Sequence, residues 1–132
     1  MLLAITVEQL NQHILGICRQ QEIQIEWRRS SRGGWAVHEF ELISIPPINS
    51  AIAYAVALHE IGHVLGRHQR SRSRPVRERW AWDWARRHAI TWTPAMERTM
   101  RRSLDRYEQR SWPPIQTTAR ASSVETFDDR YR

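Results

Sequence analysis

The apolar residues of this chain fall into helix-like and strand-like spacings that predict four helices and a small sheet. Val7, Leu10, Ile14, Leu15, Ile17 and Cys18 form the stripe of a helix running to about Gln20. Thr6-Val7-Glu8-Gln9 opens it as a capping box, with Thr6 as the cap and Gln9 reaching back. The period then changes to two: Ile23, Ile25 and Trp27 alternate with polar residues, as in a half-buried strand. Ser30-Ser31-Arg32-Gly33-Gly34 reads as a turn. Trp35, Val37, Glu39-Phe40 and Leu42-Ile43-Ser44-Ile45 continue as one or two further strands, ended by Pro46-Pro47.

The next segment is different. Ala51 to Leu58 is apolar on every side and rich in Ala, which predicts a helix buried at the centre of the domain. Asn49 or Ser50 can cap it, and Gly66, after Leu65, is expected to stop it in the left-handed conformation. An Arg/Ser loop, Arg67 to Arg74, leads to a third helix with Pro75 in its first turn and its end near His88. Thr93 and Pro94 open a fourth helix that continues through Arg110, until Trp112-Pro113-Pro114 breaks it. Residues 1–110 thus read as one α+β domain and 111–132 as a flexible C-terminal tail rich in Ser, Thr, Arg and Asp.

Composition supports a folded domain: 132 residues, 41% of them hydrophobic, with 7 Trp. The single cysteine, Cys18, excludes an intramolecular disulfide framework and a multi-cysteine zinc ribbon, and reads as a small apolar residue of the first helix. Met1 to Ile5 lacks a basic leader, and no apolar stretch approaches the length of a membrane span, so a soluble, cytoplasmic protein without a membrane partner is expected. All 20 basic residues are Arg, which fits a GC-rich genome. Residues 1–66 carry 4 Arg and 6 acids, a net of −2; residues 67–132 carry 16 Arg and 8 acids, a net of +8. A basic half suits nucleic acid or an acidic partner, but solvated helix faces with Glu–Arg pairs are commoner, and nucleic-acid binding is not the favoured reading.

The candidate chemistry lies at the end of the apolar helix, where His59-Glu60-Ile61-Gly62-His63 spells H-E-x-x-H. Residues four apart share one helix face, so both imidazoles can reach one tetrahedral Zn²⁺ at roughly 2.0–2.1 Å. Glu60 is then placed to act as general base on a metal-activated water. A catalytic zinc site usually has three protein ligands. His68, Glu78, Asp83 and His88 are the candidates for the third. The metzincin extension would put a histidine at position 69, which is Gln69, so His68 is out of register. Glu78 and Asp83 differ by about 140° around a helix axis. Ala81 and Ala85 share the Glu78 face and allow close approach to the motif helix, so Glu78 is preferred and Asp83 is expected to pair with nearby Arg.

With Ile45-Pro46-Pro47, the Ala57-to-His63 stretch, Gly66, His68 and the later Glu78-x-x-Ala81-x-x-Trp84-Ala85, the chain resembles the ImmA/IrrE family of small zinc metallopeptidases, many of them encoded by phages and mobile elements. The resemblance covers about residues 5–108, with Trp82 standing where the family usually has Asp. It implies an α+β domain with a small antiparallel β-sheet beside a zincin-like active-site helix, and three further helices. It also implies His59, His63 and Glu78 as zinc ligands, Glu60 as general base, and cleavage of a regulatory protein such as a helix-turn-helix repressor. Besides a phage or toxin–antitoxin accessory that needs a partner for activity, two other readings are open. One is a DNA-associated metallopeptidase resembling the SprT type, with His88 as third ligand. The other is a non-catalytic, zinc-stabilised interaction module, against which the intact Glu60 argues.

Overall fold

The apolar helix that carries the H-E-x-x-H motif is the centre of the molecule in the computed structural model, which describes residues 4–29 and 34–110. The tail expected at 111–132 and most of the Ser30–Gly34 turn lie outside the described residues. In chain order the elements are α1 (Val7–Gln20), β1 (Gln24–Trp27), β2 (Trp35–Val37), a one-turn 3-10 helix (His38–Phe40), β3 (Leu42–Ile45), α2 (Ala51–Leu65), α3 (Arg74–His88) and α4 (Pro94–Arg110). This is an α+β fold, and among the described residues no helix is long and apolar enough to cross a membrane.

The helix starts follow local chemistry. Thr6 Oγ1 accepts from the Gln9 N–H at 3.1 Å while Gln9 Oε1 accepts from the Thr6 N–H at 2.7 Å, which completes the capping box. Ser50 rather than Asn49 caps α2, accepting from the Ala53 N–H at 3.1 Å. Ser73 caps α3 through the Val76 N–H, and Thr93 caps α4 through the Met96 N–H. Gly66 does not end α2 in the expected left-handed conformation: its φ is −71° and its ψ 164°, ordinary extended backbone. Glycine is required there for space, because a Cβ would lie 2.4 Å from the Gly62 carbonyl oxygen and 3.2 Å from that of Trp80. The left-handed residue is His68, at φ 60°.

The sheet is mixed, not antiparallel, with strand order β1-β3-β2. β2 and β3 are joined by the short 3-10 turn and pair antiparallel, Ala36 opposite Ile43. β1 pairs with the far edge of β3 in parallel, Ile25 opposite Ile43. The reason is parity: the chain reverses once between β1 and β2 and again before β3, so β1 and β3 run the same way. Phe40, expected to continue a strand, sits instead on the 3-10 turn and is 72% exposed.

Ile43 and Ile45 of β3, Ile14 of α1, Met96 of α4 and Ala55, Ala57, Leu58 and Ile61 of α2 are all fully buried and form one core. Cys18 belongs to it, and burial pushes its thiol up to about 11, as expected of a packing residue. Tyr54 is also fully buried. Its hydroxyl accepts from the Ile90 N–H at 3.0 Å and donates to His13 Nδ1 at 2.6 Å, tying α2 to α1 and to the α3–α4 connection. Burial first, and then the charge of His88, lowers the His13 pKa, which keeps its ring a neutral acceptor. Tyr54 is therefore a structural strut.

α2 and α3 approach each other closely. A Cβ on Gly62 would fall 2.3 Å from the Ala81 carbonyl oxygen and 3.0 Å from the Ala81 Cα. Ala81 and Ala85, the small residues of the Glu78 face, are completely buried at this contact side of α3. This approach carries the α3 side chains to the histidines of α2.

Candidate metal centre

His59, Glu60 and His63 present ligand atoms within 4.8 Å of one another, a group that can hold a metal ion. One turn of α2 separates the two imidazoles, whose ring centres are 4.6 Å apart. Glu78 reaches both from the first half of α3: Oε1 lies 3.0 Å from His59 Nε2 and Oε2 lies 2.6 Å from His63 Nε2. Glu60 meets only the other side of His59, with Oε2 3.4 Å from Nδ1. Both carboxylates are buried, Glu60 at 4% and Glu78 at 5% exposure. The Nε2 atoms thus face Glu78, while Glu60 stands beside them against Gly34, where a Cβ would lie 3.0 Å from Glu60 Cγ and 2.8 Å from the Ser44 carbonyl oxygen.

The remaining nitrogen of His63 is held by a residue that the sequence presented only as a failed ligand. Gln69 Nε2 donates to the carbonyls of Arg67 (3.2 Å) and Arg77 (2.9 Å), which turns Oε1 toward His63 Nδ1 at 2.9 Å. With Nδ1 donating to that oxygen, Nε2 is left as the nitrogen that faces Glu78 and is available to a metal. Trp82, at the position where the ImmA/IrrE pattern usually has Asp, stacks on His59 at 4.2 Å between ring centres and 13° between planes. Its Nε1–H donates to Ser103 Oγ at 3.1 Å, so α4 fixes the indole that fixes His59. Neither role is visible in the linear spacing, because both depend on contacts between elements. Gln69→Ala is expected to weaken metal affinity by about 10- to 100-fold, read by competition with a chelating dye, with little change in secondary structure by circular dichroism.

Burial lowers the His59 pKa, but the hydrogen bonds and negative charges of Glu60 and Glu78 outweigh it and hold the imidazole up to about 9. For Glu78, burial raises the pKa, while hydrogen bonds from His59 and His63 and their charge bring it down to about 2. At pH 7 the apo protein therefore carries a proton on His59, whereas Glu78 is already ionised. Metal binding must displace that proton. Affinity is expected to rise with pH up to about pH 9, as the His59 proton ceases to compete, and then to level off, with protons released on binding below that pH. Titration calorimetry in buffers of different ionisation enthalpy checks this; a proton release near zero at pH 7 would contradict it.

The other candidates lie elsewhere. Asp83 pairs with Arg87 one turn along α3, at 3.1 Å. His88 is ten residues beyond Glu78, about 15 Å along the helix, and its Nδ1–H donates to the Trp84 carbonyl at 2.8 Å. His68 packs its ring against Trp80, 4.8 Å between centres. The site opens into a cleft of about 320 Å³ whose lining includes Gly34, Trp35 and Ala36 at the edge strand, Arg74 and Arg77 of α3, and Tyr107 of α4. That volume lies within the range of ligand pockets.

No protein-family model, curated protein or solved structure matches this chain. The ImmA/IrrE resemblance rests on its motifs alone.

Proposed function

We propose that this protein is a zinc-dependent metallopeptidase of ImmA/IrrE type, with His59, His63 and Glu78 as metal ligands and Glu60 as general base. The convergence of both Glu78 oxygens on the two Nε2 atoms carries this reading. Two imidazoles and one carboxylate are a donor set that suits catalytic zinc. The assignment of Glu78 rather than Glu60 follows from which nitrogen each carboxylate meets: Glu78 meets both Nε2 atoms, whereas Glu60 meets Nδ1 of His59 and stands to the side, lining the cleft.

Bound by these residues, zinc would supply Lewis acidity, bringing the pKa of water to about 7 and polarising a peptide carbonyl. Glu60, lining the cleft, takes a proton from the attacking water as the oxygen joins the carbonyl carbon. When the C–N bond breaks, that proton passes to the leaving nitrogen, giving a carboxylate and an amine. Trp82 and Gln69 keep His59 and His63 in place throughout. β2 is an edge strand, so an extended substrate can lie along it with main-chain hydrogen bonds. The substrate class is protein, with a regulatory protein such as a helix-turn-helix repressor as the resemblance implies, and the cytoplasm as the setting. The SprT-like alternative is not supported, because His88 is bonded at the other end of α3. A purely structural zinc module leaves Glu60 in the cleft without a use.

The test is cleavage of a diverse peptide library, read by mass spectrometry. Zinc-loaded protein is expected to cut it, chelation to stop the reaction, and added zinc to restore it. Stoichiometric zinc without any cleavage would replace this reading with the structural module.

A further inference from the structure

The basic half of the chain is not uniformly neutralised by Glu–Arg pairs. On α3 and α4, Arg79 meets Glu108 at 2.6 Å, Arg87 meets Asp83 at 3.1 Å, and Arg86 and Arg101 meet Glu97 at 3.5 and 2.8 Å. These pairs occupy Asp83, Glu97 and Glu108, three of the acids on the two helices. The arginines of the cleft are different. Arg102 and Arg106 are exposed and form no ion pair with any described residue. The contacts shown for Arg74 and Arg77 are to neutral groups, the Tyr107 hydroxyl at 3.2 Å and the Ser71 carbonyl at 2.6 Å.

The cleft has two lobes that meet at Gly34, His59, Glu60 and Tyr107. One lobe extends toward the C-terminal end of α2, past His63, and carries Arg74 and Arg77. The other extends toward the N-terminal end of α2, past Val56 and Ile52, and carries Arg102 and Arg106. Arg102 and Arg106 are one turn apart on α4, so both guanidiniums lie on the face that walls this lobe. Of the carboxylates nearby, Glu78 is turned to the histidines, leaving Glu60 alone at the junction. Each lobe is therefore a cationic wall beside the same central carboxylate.

We infer that this cleft selects extended peptide segments bearing acidic side chains on both sides of the bond positioned at Glu60. This rests on the peptidase reading above and adds the substrate class. Between the two acidic polymers that such a cleft attracts, a peptide fits better than a nucleic acid. The β2 edge offers main-chain pairing to a peptide, which a phosphate backbone, with no N–H donors, cannot complete. The apolar floor of the second lobe, Ile52, Val56 and Trp82, suits an aliphatic side chain next to the acid.

Two measurements separate this inference from the peptidase reading. The first is affinity, by fluorescence anisotropy, of zinc-loaded Glu60→Gln protein for matched peptides with Glu, Gln or Lys on both flanks; it needs no turnover. The Glu peptide is expected to bind at least about tenfold tighter than the Gln peptide, with the advantage falling as salt rises. The second adds Arg102→Glu and Arg106→Glu together. The preference on the flank facing that lobe is expected to invert toward Lys, while Arg102→Lys with Arg106→Lys keeps the original order. An inversion cannot arise from misfolding. Equal affinity for the Glu and Gln peptides overturns the inference even if the wild-type protein cleaves peptides. Tighter binding of single-stranded DNA than of any peptide, abolished by the same two Glu substitutions, overturns it in favour of a nucleic-acid cleft.

Discussion

Glu60→Gln protein is expected to hold one zinc per chain and to lose peptide cleavage by about 10²- to 10⁴-fold, the usual contribution of a positioned general base. The substitution keeps the shape of a side chain that is 4% exposed and packed against Gly34, so the site should not rearrange. It removes the capacity to take up a proton, together with the negative charge beside His59 Nδ1. Glu78→Ala is expected to fail differently. The carboxylate that bonds both Nε2 atoms disappears, and zinc affinity falls with it. Asp83→Ala, which removes only the partner of Arg87, should leave zinc content unchanged. Elemental analysis after dialysis, run beside the peptide assay, distinguishes the three. Normal zinc content in Glu78→Ala would sink its assignment as a ligand, and full activity in Glu60→Gln would sink the assigned base.

Gly62→Ala should be the most damaging single methyl in the domain. Its Cβ would sit 2.3 Å from the Ala81 carbonyl oxygen, a contact no rotamer relieves because both atoms belong to or adjoin backbone. The helices must move apart, at a cost of at least about 1–3 kcal/mol for overpacking. The same movement draws Glu78, one turn before Ala81, away from His59 and His63 on either side of Gly62. Stability and metal binding are therefore expected to fall together. Thermal unfolding with and without zinc should show a midpoint lowered by several degrees and a reduced zinc-induced rise. Gly16→Ala is the control: Gly16 is exposed on α1 and has nothing within 4 Å of the new Cβ, so helix propensity alone should raise stability by up to about 1 kcal/mol. Unchanged unfolding in Gly62→Ala would mean that α2 and α3 do not pack this closely.

Which arginines pair with a carboxylate is decided by the packing of the helices. The charge of residues 67–132 was countable, but not which guanidiniums a carboxylate would neutralise. Arg79 and Glu108 are 29 positions apart and on different helices, so their 2.6 Å bond exists only in the packed fold. Gln69 is similar. Its linear register excluded a metzincin ligand, yet two backbone carbonyls from the α2–α3 loop and α3 make it the residue that orients His63. The Gly66 expectation erred because glycine answers two needs, left-handed backbone and absent volume, and sequence does not tell them apart.

Local structure follows from the order of the residues alone. Periodicity and caps set α1, α2, α3 and α4, since these depend on contacts within a few residues. The i, i+4 spacing put His59 and His63 on one face, and the small-residue stripe put Glu78, Ala81 and Ala85 on another helix's contact side. Which distant groups meet is a property of the packed fold. It turned the sheet mixed, because β1 pairs with β3 rather than β2. It brought Glu78, and not Asp83 or His88, to both imidazoles, through the space that Gly62 leaves open. It also laid Trp82 on His59 and left Arg102 and Arg106 without an ion pair among the described residues. Backbone geometry is written in neighbouring residues, whereas contacts across elements depend on packing distances that spacing along the chain does not encode.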